Sequence, residues 1–410
     1  MREISKLWPD ADPLQQVRLI RSAQEYSEWL RRESSFPSEA SGGLTPPVLK
    51  FADLFCGPGG FSYGVREGLS QGGILGSAEL GIDLSAPALD TYKRNLRPSA
   101  IRSTDIGALF PYPLRGVEER LLAGRSVQTT DSSVLMKLRK CALVIASPPC
   151  RGFSNLNNHS RRNDDRNDLA IAAATLSILA GADHFCMENV PEVRRDKGGV
   201  LPRMSNLFKM HGYRIAEVVV NAESFGVPQS RKRLFFFASK TLDSERILED
   251  FSSTEIEPPR LFDALNVPFA ESSEPHMHSP ASLSEENWRR VRFLFENDLY
   301  ELPDKERPDC HKDGHTYPSV YGRLYPHSSA GTLTSGFLSP GRGRYVHPVQ
   351  ARGLTLREGA RIQSFPDCYQ FDSSLGKTKI AQLIGDAVAP KVSFHLGIAI
   401  ANALSDQSRT

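Results

Sequence analysis

Apolar positions recur along most of this chain with two alternating periods. Short apolar runs typical of strands occupy residues 49–55, 74–83, 142–147, 185–188, 215–220 and 234–238. Apolar positions at helical spacing predict helices over residues 12–33, 86–96, 169–182, 201–211 and 391–404. Because strands alternate with helices, the pattern predicts an α/β fold with a doubly wound parallel sheet. In such sheets, ligands bind beyond the carboxyl ends of the strands.

The pattern changes at two places, which indicates where domains begin and end. Residues 34–47, SSFPSEASGGLTPP, have the composition of a linker, so the first domain is expected to begin near Val48. Residues 240–320 are rich in Pro, Ser, Glu and His and show no clear period, which predicts a second, irregular domain or a large insertion. The amphipathic helix over 391–404 is then expected to pack back on the sheet.

Composition narrows the class of protein but not the ligand. The chain has 410 residues, 40% of them hydrophobic, and 50 Lys and Arg against 48 Asp and Glu, which are ordinary globular values. The net charge of +2 argues neither for nor against nucleic acid, because a basic cleft can occur within a balanced total. No uninterrupted apolar run reaches the length of a membrane helix, and the N-terminus lacks the apolar region of a signal peptide. Because no apolar run is long enough, we expect no membrane partner. The six cysteines show no paired spacing, so we expect a reducing, cytoplasmic compartment.

A glycine-rich loop, DLFCGPGG over residues 53–60, follows the first predicted strand. Its glycines permit close approach of a ligand to the backbone, and the next helix offers free N–H groups. A tight structural turn explains the same residues equally well. Because the GxxxxGK[ST] pattern does not occur here, phosphate transfer is a poor interpretation. Asp83 ends the second strand, where a ribose hydroxyl is bound, and Asp105 could accept from an exocyclic amine; either could instead cap a helix.

Cys150 is the candidate nucleophile. It follows the apolar run ALVIAS and two prolines, which stiffen the backbone and place the thiol at the carboxyl edge of the sheet. The neighbouring Arg151 favours the thiolate, which is the nucleophilic form. The alternative is a buried, small apolar residue, the commonest fate of a free cysteine. We interpret the rival thiol, Cys56 inside the glycine turn, as a packing residue.

Two further polar segments adjoin predicted strands. Glu188 ends one strand, where a carboxyl beside a thiol could donate a proton or a hydrogen bond. The segment QSRKR over 229–233 opens the last strand, and alternation puts Gln229, Arg231 and Arg233 on one face. That face could meet a base and its phosphate, or it could be a solvated basic edge.

The order and spacing of these segments resemble the DNA (cytosine-5) methyltransferase family. The segments that carry the resemblance are residues 53–60, 148–150, 188–190 and 229–233. Two later segments add to it, because LTLREGARIQSFPD over 354–367 resembles the family's ninth motif and GDAVAP over 385–390 resembles its tenth. The match covers most of residues 48–239 and 321–404, and six motifs in the family's order are hard to obtain by chance.

The resemblance implies a Rossmann-like domain dependent on S-adenosylmethionine (SAM), with a smaller irregular target-recognition domain. Residues 1–47 are then an N-terminal helical extension and linker, and residues 48–239 are the catalytic SAM-binding domain. Residues 240–325 are the target-recognition domain, and residues 326–410 return to the catalytic domain with motifs nine and ten and the C-terminal helix. SAM is the implied cofactor, and no metal is expected. We interpret the helix over 12–33 as packing on the protein rather than dimerising or touching DNA.

The resemblance also implies roles for individual residues. Cys150 is similar to the family's nucleophile, and Glu188 to the residue that holds a flipped cytosine at its N3 edge. Arg233 is similar to the partner of the cytosine O2, with Arg231 as its helper. The implied cofactor-binding residues are Phe55, Gly57, Gly59, Gly60, Asp83, Leu84, Asp105, Ile106, Pro148, Asp386 and Val388. The implied DNA-binding residues are Arg151, Ser154, Arg161, Arg162, Arg166, Asn189 and Gln229.

The chain departs from the family's pattern at three positions. Arg151 stands where the family usually has Gln, Asp386 where it usually has Asn, and Asp83 where Glu is commoner. We expect Asp386 to order its loop through a side-chain oxygen, and Asp83 to reach the same ribose hydroxyls. The segment 151–168 is expected to close over DNA as a lid.

The irregular segment contains two other sets of candidate residues. Cys310, His311 and His315 have partial metal-ligand spacing but lack a fourth ligand at the usual distance in sequence, so solvated loop histidines are the preferred interpretation. Candidates for reading the DNA sequence are Arg289, Arg290, Arg292 and residues 317–323.

The leading interpretation is a DNA (cytosine-5-)-methyltransferase, EC class 2.1.1, that acts on a specific sequence in double-stranded DNA. We expect a monomer in the bacterial cytoplasm that serves as the modification half of a restriction-modification or defence system, with a cognate restriction endonuclease as partner. An RNA cytosine-5 methyltransferase would share every catalytic motif and differ in the insertion. A catalytically silent DNA-binding or regulatory member is a second alternative, against which the intact catalytic residues argue. A redox thiol protein is remote, since no CxxC occurs.

Overall fold

The computed structural model describes residues 12–33, 46–149, 165–268, 275–312 and 319–408. Within these ranges the chain divides into two compact units. The larger unit holds the chain from the first strand to Asn221, then Lys232–Thr254, and then Val388 onward. The smaller unit holds the N-terminal helix, Ala222–Arg231 and Glu255–Ala387. Each unit is therefore assembled from segments that are distant in the sequence.

One seven-stranded sheet forms the centre of the larger unit, in the strand order β3-β2-β1-β4-β5-β7-β6. Its strands are β1 (Val48–Leu54), β2 (Leu75–Asp83), β3 (Ala100–Ser103), β4 (Leu143–Ala146), β5 (His184–Asn189), β6 (Arg214–Asn221) and β7 (Lys232–Ser239). Every residue of β4 and β5 is buried, as expected for central strands covered on both faces. The predicted α/β class is confirmed.

Strand β7 corrects the prediction of an all-parallel sheet. It runs antiparallel to β5 on one side and to β6 on the other, with Glu188 opposite Phe235. The connection Ala222–Arg231 is shorter than the dozen or so residues that a parallel crossover needs. The direction of a strand is not encoded in its apolar pattern, so the pattern alone could not have shown this reversal.

Helices flank the sheet in the larger unit and form most of the regular structure of the smaller one. They are α1 (Pro13–Leu30), α2 (Gly60–Gln71), α3 (Ala86–Leu96), α4 (Leu114–Leu122), α5 (Ser132–Leu138), α6 (Leu169–Ala180), α7 (Val200–Met210), α8 (Ser244–Ser252), α9 (Leu261–Leu265), α10 (Pro275–His278), α11 (Glu285–Glu296), α12 (Leu356–Ile362), α13 (Lys377–Asp386) and α14 (Pro390–Gln407). Each predicted helix is present with bounds shifted by three residues or fewer.

The C-terminal helix α14 packs against α2 of the larger unit through glycines. A side chain at Gly68 would place its Cβ 2.0 Å from the carbonyl oxygen of Phe394, and one at Gly64 would place it 2.1 Å from that of Pro390. In the other direction, a Cβ at Gly397 would lie 2.5 Å from the carbonyl oxygen of Val65. The two backbones therefore approach closely only because these positions have no side chain. The expectation that the final helix packs on the larger unit is confirmed.

The N-terminal helix α1 packs within the smaller unit. The Tyr26 hydroxyl donates to the carbonyl of Arg361, and the Trp29 indole N–H donates to the carbonyl of Ser364 at 2.9 Å. Asp12 caps the helix by accepting from the backbone N–H of Gln15. The expected packing role is confirmed, and the surface that receives α1 includes the segment predicted as the ninth motif.

The compact units divide the chain differently from the boundaries expected at 240, 325 and 326. Helix α8 lies in residues 240–254, which belong to the larger unit, and α8 packs against β6 and α14. Residues 326–387 belong to the smaller unit, and only Val388 onward returns to the larger one.

Planar side chains stack in the smaller unit, where its residues form isolated bridges and short helices rather than a sheet. The Arg323 guanidinium lies 4.2 Å from the ring centre of Phe295 and 4.7 Å from that of Tyr300. Tyr300 stacks on Tyr325 at 4.7 Å, and Arg344 lies 4.7 Å from the ring centre of Tyr325. This stack joins helix α11 to three segments of irregular backbone, and it stabilises a part of the smaller unit in which the described residues form only isolated bridges.

One helical stretch, Lys377–Gln407, is long and apolar enough to cross a membrane by length and composition. Its most apolar window is 83% buried inside the protein, as in the core helix of a globular protein, so the membrane indication is weak.

Candidate active site

The glycine loop after β1 has a backbone that few residues adopt. Gly57 and Gly59 have φ angles of 53° and 101°, and Phe55 also has a positive φ, 62°. Left-handed backbone is inexpensive for glycine but strained for an aromatic residue. A Cβ at Gly57 would meet nothing within 4 Å, so the loop faces open space there. Gly60 begins α2, whose N-cap is Gly59.

Asp83 fastens this loop to the end of β2. One carboxylate oxygen accepts from the N–H of Gly57 at 2.9 Å, and the other accepts from the N–H of Ser85 at 2.8 Å. The N-cap of α3 is Ser85, so the alternative that Asp83 caps this helix is wrong. Beside it, Leu84 is 71% exposed, an apolar side chain presented to solvent at a strand end.

Asp105 and Ile106 lie on the next loop of the larger unit. The exposed Asp105 carboxylate accepts from the N–H of Gly107 at 2.8 Å, at the start of a short 3-10 turn. The N-cap of this turn is Ile106 and no side chain caps it, so the alternative that Asp105 is a helix N-cap is also wrong. Ile106 is buried in the apolar core beneath the sheet edge.

The segment that leads to Cys150 is fixed by two polar side chains. The Ser147 hydroxyl donates to the carbonyl of Phe55 at 3.1 Å. The Asn189 amide donates to the carbonyl of Pro148 at 3.3 Å, and its oxygen accepts from the N–H of Val190 at 2.8 Å. Asn189, which was predicted to bind DNA, is buried, and its side-chain amide is hydrogen-bonded to these two backbone groups. The carboxyl ends of β1, β4 and β5 are therefore tied together where the thiol segment begins.

Glu188 and Arg233 form an ion pair at the ends of the antiparallel strands β5 and β7. The Arg233 Nε atom lies 2.9 Å from the Glu188 Oε1 atom, and both side chains are largely buried. The contact is an ion pair and not a hydrogen bond, because the Glu188 Oε1 atom accepts no hydrogen bond from the described residues. Burying a carboxylate oxygen without a hydrogen-bond donor costs free energy, and such an oxygen is suited to receive a donor from a ligand.

Gln229 and Arg231 lie outside the sheet, which corrects the expectation that they share a face with Arg233. Strand β7 begins at Lys232, and both residues belong to the smaller unit, where they are buried. The Arg231 guanidinium donates to the carbonyls of Leu333 and Ala387 at 3.3 and 3.2 Å.

The Gln229 amide is also used within the smaller unit. It donates to the Gln363 side chain at 2.6 Å and accepts from the N–H of Leu333 at 2.9 Å. In this structure Gln229 therefore braces backbone of the smaller unit, and its amide is not presented to DNA.

The chain resembles known proteins in sequence and in fold. The sequence profile of C-5 cytosine-specific DNA methylases matches residues 49–402. The chain belongs to this family. The predicted family and enzyme class are thereby confirmed.

Relatives of known name agree with this assignment. The chain is 37% identical over 372 residues to the type II methyltransferase M1.BsuMI of Bacillus subtilis. This alignment covers 90% of this chain and 83% of the relative. It is 29% identical to the type II methylase M.HgiDII of Herpetosiphon aurantiacus, over 82% of this chain and 90% of the relative.

Solved structures share the fold. A prophage-encoded protein of E. coli, described as a DNA modification methyltransferase, superposes with a TM-score of 0.58 at 24% identity, covering 87% of this chain and 99% of that one. The Dnmt2 methyltransferase of S. pombe superposes with a TM-score of 0.52 at 18% identity, over 88% of this chain and 99% of the other.

Several predicted site residues of this methylase lie outside the described part of the chain. They are Cys150, Arg151, Ser154, Arg161 and Arg162, and the side chain of Arg166 is not described either. His315 is also outside, and the described residues contain no group of three or more potential metal ligands.

The residues predicted as the tenth motif lie where the chain leaves the smaller unit and enters the larger one, between Ala387 and Val388. Asp386 is exposed and ends α13, whereas Val388 is buried. Gly385 allows close packing within the smaller unit, since a Cβ there would lie 2.5 Å from the backbone of Thr334.

The candidate DNA-reading arginines of the smaller unit differ in exposure. Arg290 is buried, pairs with Glu286 and lies 5.3 Å from the ring centre of Tyr321. Arg289 is exposed, and Arg292 pairs with Glu296 at 2.8 Å. The Arg290 side chain therefore packs within the smaller unit, whereas the Arg289 side chain is exposed on its surface.

The cysteine inside the glycine loop is not a second nucleophile. Burial, reinforced by the charges of Asp53 and Asp83, raises the pKa of the Cys56 thiol well above its usual value. Such a thiol stays neutral near pH 7, which agrees with the packing role predicted for it.

Sequence analysis missed Asp53 as a residue of interest. It lies wholly buried near the end of β1, and burial raises the pKa of its carboxyl to about 8. The Ser62 hydroxyl donates to it at 2.5 Å. The signal available in the sequence was an acidic residue inside an apolar strand of a sheet covered on both faces.

Proposed function

We propose that this methylase transfers a methyl group from SAM to carbon 5 of a cytosine that is flipped out of double-stranded DNA. The observation that carries the proposal is the buried Glu188–Arg233 pair at the sheet edge where the Cys150 segment begins. Family membership supports the reaction, and the pair offers a carboxylate and a guanidinium to the polar edge of one base.

The residues around the glycine loop fit SAM. The left-handed backbone at Gly57 and Gly59 leaves open space where a ligand can approach. The exposed Leu84 offers an apolar surface for the adenine ring, and Asp83 holds the loop next to the expected ribose position. When bound, SAM supplies the electrophilic methyl group.

The chemistry requires the nucleophile and the polar pair to act on the same ring. Carbon 5 of cytosine is a poor nucleophile, and addition of the Cys150 thiolate to carbon 6 makes carbon 5 electron-rich. A proton shared between Glu188 and N3, together with a hydrogen bond from Arg233 to O2, offsets the negative charge that develops on the ring during this addition. After methylation, solvent takes the carbon-5 proton, the C5=C6 bond re-forms and the sulfur–carbon bond breaks, which releases the product and restores the Cys150 thiolate.

Extrusion of the base follows from this chemistry. Neither face of carbon 6 is accessible within a stacked duplex, so the cytosine must leave the helix. We propose that the arginines of the segment 151–168 hold the phosphate backbone during this step. Arg231 and Gln229 use their side chains on backbone groups of the smaller unit, so we assign them a structural role within that unit.

The biological role we propose is modification within a restriction-modification or defence system. The named relatives M1.BsuMI and M.HgiDII are type II enzymes, which supports this role. Such an enzyme would act as a monomer in the bacterial cytoplasm and protect DNA from a cognate endonuclease.

The decisive experiment gives purified protein tritiated SAM with genomic DNA and tRNA in parallel. We expect label in DNA for the native chain, none for Cys150→Ala, and a loss of about 10²-fold or more for Glu188→Gln. Cys310→Ala is the matched thiol control and should keep full activity, because Cys310 is exposed and has no role in the reaction.

A second readout tests the covalent step. A duplex containing 5-fluorocytosine cannot lose the carbon-5 substituent, so the native chain should remain attached to it under denaturing conditions. Label in RNA alone would establish the RNA alternative instead. SAM binding with no transfer to either nucleic acid would contradict the enzymatic proposal and support a silent DNA-binding member.

A further inference from the structure

Asp53 lies directly beneath the glycine loop in a small polar cluster. Its Oδ2 atom accepts from the Ser62 hydroxyl of α2 at 2.5 Å, and Ser62 lies 2.9 Å from the Tyr92 hydroxyl of α3. The Oδ1 atom is buried and has no hydrogen-bond partner among the described residues. Asp53 is thus connected to both helices that flank the loop, while half of its carboxyl remains unsatisfied.

Burial and the charge of Asp83 both oppose ionisation of Asp53. Asp83 on β2 acts on it electrostatically and disfavours its ionised form, and the neutral Cys56 thiol lies in the loop above. On α2, Arg66 is paired with the adjacent Glu67 at 2.9 Å. The register neighbours of Asp53 on β2 and β4 are Gly81 and Ile145, which carry no charge. Helix α14 packs on α2 and carries one cationic residue with a buried side chain, Lys391, in its first turn.

We propose that Asp53 is a positioning residue of the cofactor loop whose ionisation is coupled to the charge of the cofactor, so that the site favours cationic SAM over its neutral product. The inference rests on the proposed function, in which SAM binds at residues 55–60. SAM carries a sulfonium cation, and S-adenosylhomocysteine (SAH) lacks it. A cation at the loop stabilises the ionised Asp53 carboxyl, and that carboxylate stabilises the cation in return, because linkage is reciprocal.

The coupling predicts release of a proton when SAM binds. With its pKa raised to about 8, the free Asp53 carboxyl is roughly nine-tenths protonated at pH 7. A bound cation lowers that pKa, so part of this proton leaves on binding. SAH has no sulfonium and should release less. Affinity for SAM should therefore rise as the pH increases toward 8, and affinity for SAH should change less.

Titration calorimetry in two buffers of different ionisation enthalpy measures the protons released. We expect native protein at pH 7 to release at least about 0.3 proton more with SAM than with SAH. In Asp53→Asn this difference should disappear, and the SAM-to-SAH affinity ratio should lose its rise between pH 6.5 and 8.5. The α-amino group of both ligands also titrates in this range, and the comparison of native protein with the variant removes its contribution.

Ser62→Ala keeps the carboxyl and tests the same idea if Asp53→Asn fails to fold. The Ser62 hydrogen bond lowers the pKa of Asp53, so its loss should move the midpoint of the SAM pH dependence upward. Equal proton release with SAM and SAH in native protein would overturn the inference while leaving the proposed function intact. Failure to bind either ligand would overturn both.

Discussion

At the scale of single residues, Asn189 has a role that its position in the sequence did not reveal. The pattern placed it beside Glu188 and suggested DNA contact, but the structure buries it and joins its amide to the carbonyl of Pro148. A side chain that acts on the backbone before a nucleophile controls where that nucleophile is held. Asn189 is therefore a positioning residue for the Cys150 segment.

We expect Asn189→Ala to slow methyl transfer by about 10-fold to 10²-fold, because a small misplacement of a reacting group costs that much. SAM affinity should fall by less than methyl transfer does, since Asn189 bonds the backbone at Pro148 and Val190 and not the glycine loop itself. Single-turnover transfer and calorimetric SAM binding separate the two effects. Asn266→Ala is the matched control, because exposed Asn266 also donates to a backbone carbonyl, that of Phe262. A parallel loss of transfer and SAM affinity would contradict a local positioning role.

Positions at the sheet edge were predictable where a residue lies near the end of a strand. Asp83 ends β2, Glu188 is the last residue but one of β5, Arg233 lies near the start of β7, and all three take part in polar contacts at the predicted sheet edge. Gln229 and Arg231 were not predictable in this way, because the chain leaves the larger unit after Asn221 and returns only at Lys232. A sequence shows which residues are neighbours along the chain but not when the chain changes unit.

At the scale of elements, glycine decides how α2 and α14 pack. The closest approach is at Gly68, where an added Cβ would overlap the backbone carbonyl of Phe394. Backbone cannot move aside as a flexible side chain can, so the helices would have to separate. The contact also sets the position of α2, whose first turn follows the glycine loop.

We expect Gly68→Ala to lower the free energy of unfolding by roughly 1–3 kcal/mol through overpacking. Gly116→Ala in α4 is the matched control, because a Cβ there would meet nothing closer than 4.0 Å. That control should stabilise the protein by up to about 1 kcal/mol, the difference in helix propensity between the two residues. Urea unfolding of the three proteins measures both changes, and equal stabilities for the two variants would refute the packing argument.

Most elements were predictable from apolar periodicity, and the exceptions have physical reasons. Strand β3 is four residues long, lies at the sheet edge and is at most half-buried, so it leaves almost no apolar pattern. The antiparallel direction of β7 depends on a short connection rather than on its own residues. Residues 255–320 of the smaller unit gave no clear period, because stacked planar groups such as Arg323 and Tyr300 stabilise this part of the chain and stacking has no repeat in sequence.

At the scale of the whole molecule, each unit buries a neutral histidine. Burial lowers the pKa of His184 to about 4 in the larger unit, where its ring lies 2.9 Å from the Ser239 hydroxyl. Burial also lowers the pKa of His347 to about 4 in the smaller unit. A histidine with a lowered folded pKa stabilises the fold fully above its unfolded value of about 6.5, and this contribution is lost as the pH falls toward 4. Asp53 acts in the opposite direction, because its raised pKa adds stability as the pH falls from 8.

We expect His184→Asn and His347→Gln each to reduce the acid-induced loss of stability. Between pH 7 and pH 5, the native chain should lose on the order of 1–2 kcal/mol per histidine relative to the variant that lacks it. Thermal unfolding at the two pH values gives this difference directly, with His211→Gln as the control substitution. An identical change with pH in native protein and both variants would show that these rings do not govern acid stability.

The division of the chain into interleaved segments bears on how the smaller unit can be exchanged between relatives. The smaller unit takes in Ala222–Arg231, Glu255–Ala387 and the N-terminal helix. A recombination event that transplanted only a contiguous cassette would leave behind Gln229 and Arg231, which brace the backbone at Leu333. Chimeras that move only Glu255–Ala387 should therefore inherit mismatched braces, whereas grafts that move all three segments together keep them. Exchange of the smaller unit between relatives is thus constrained by the points at which the chain changes unit.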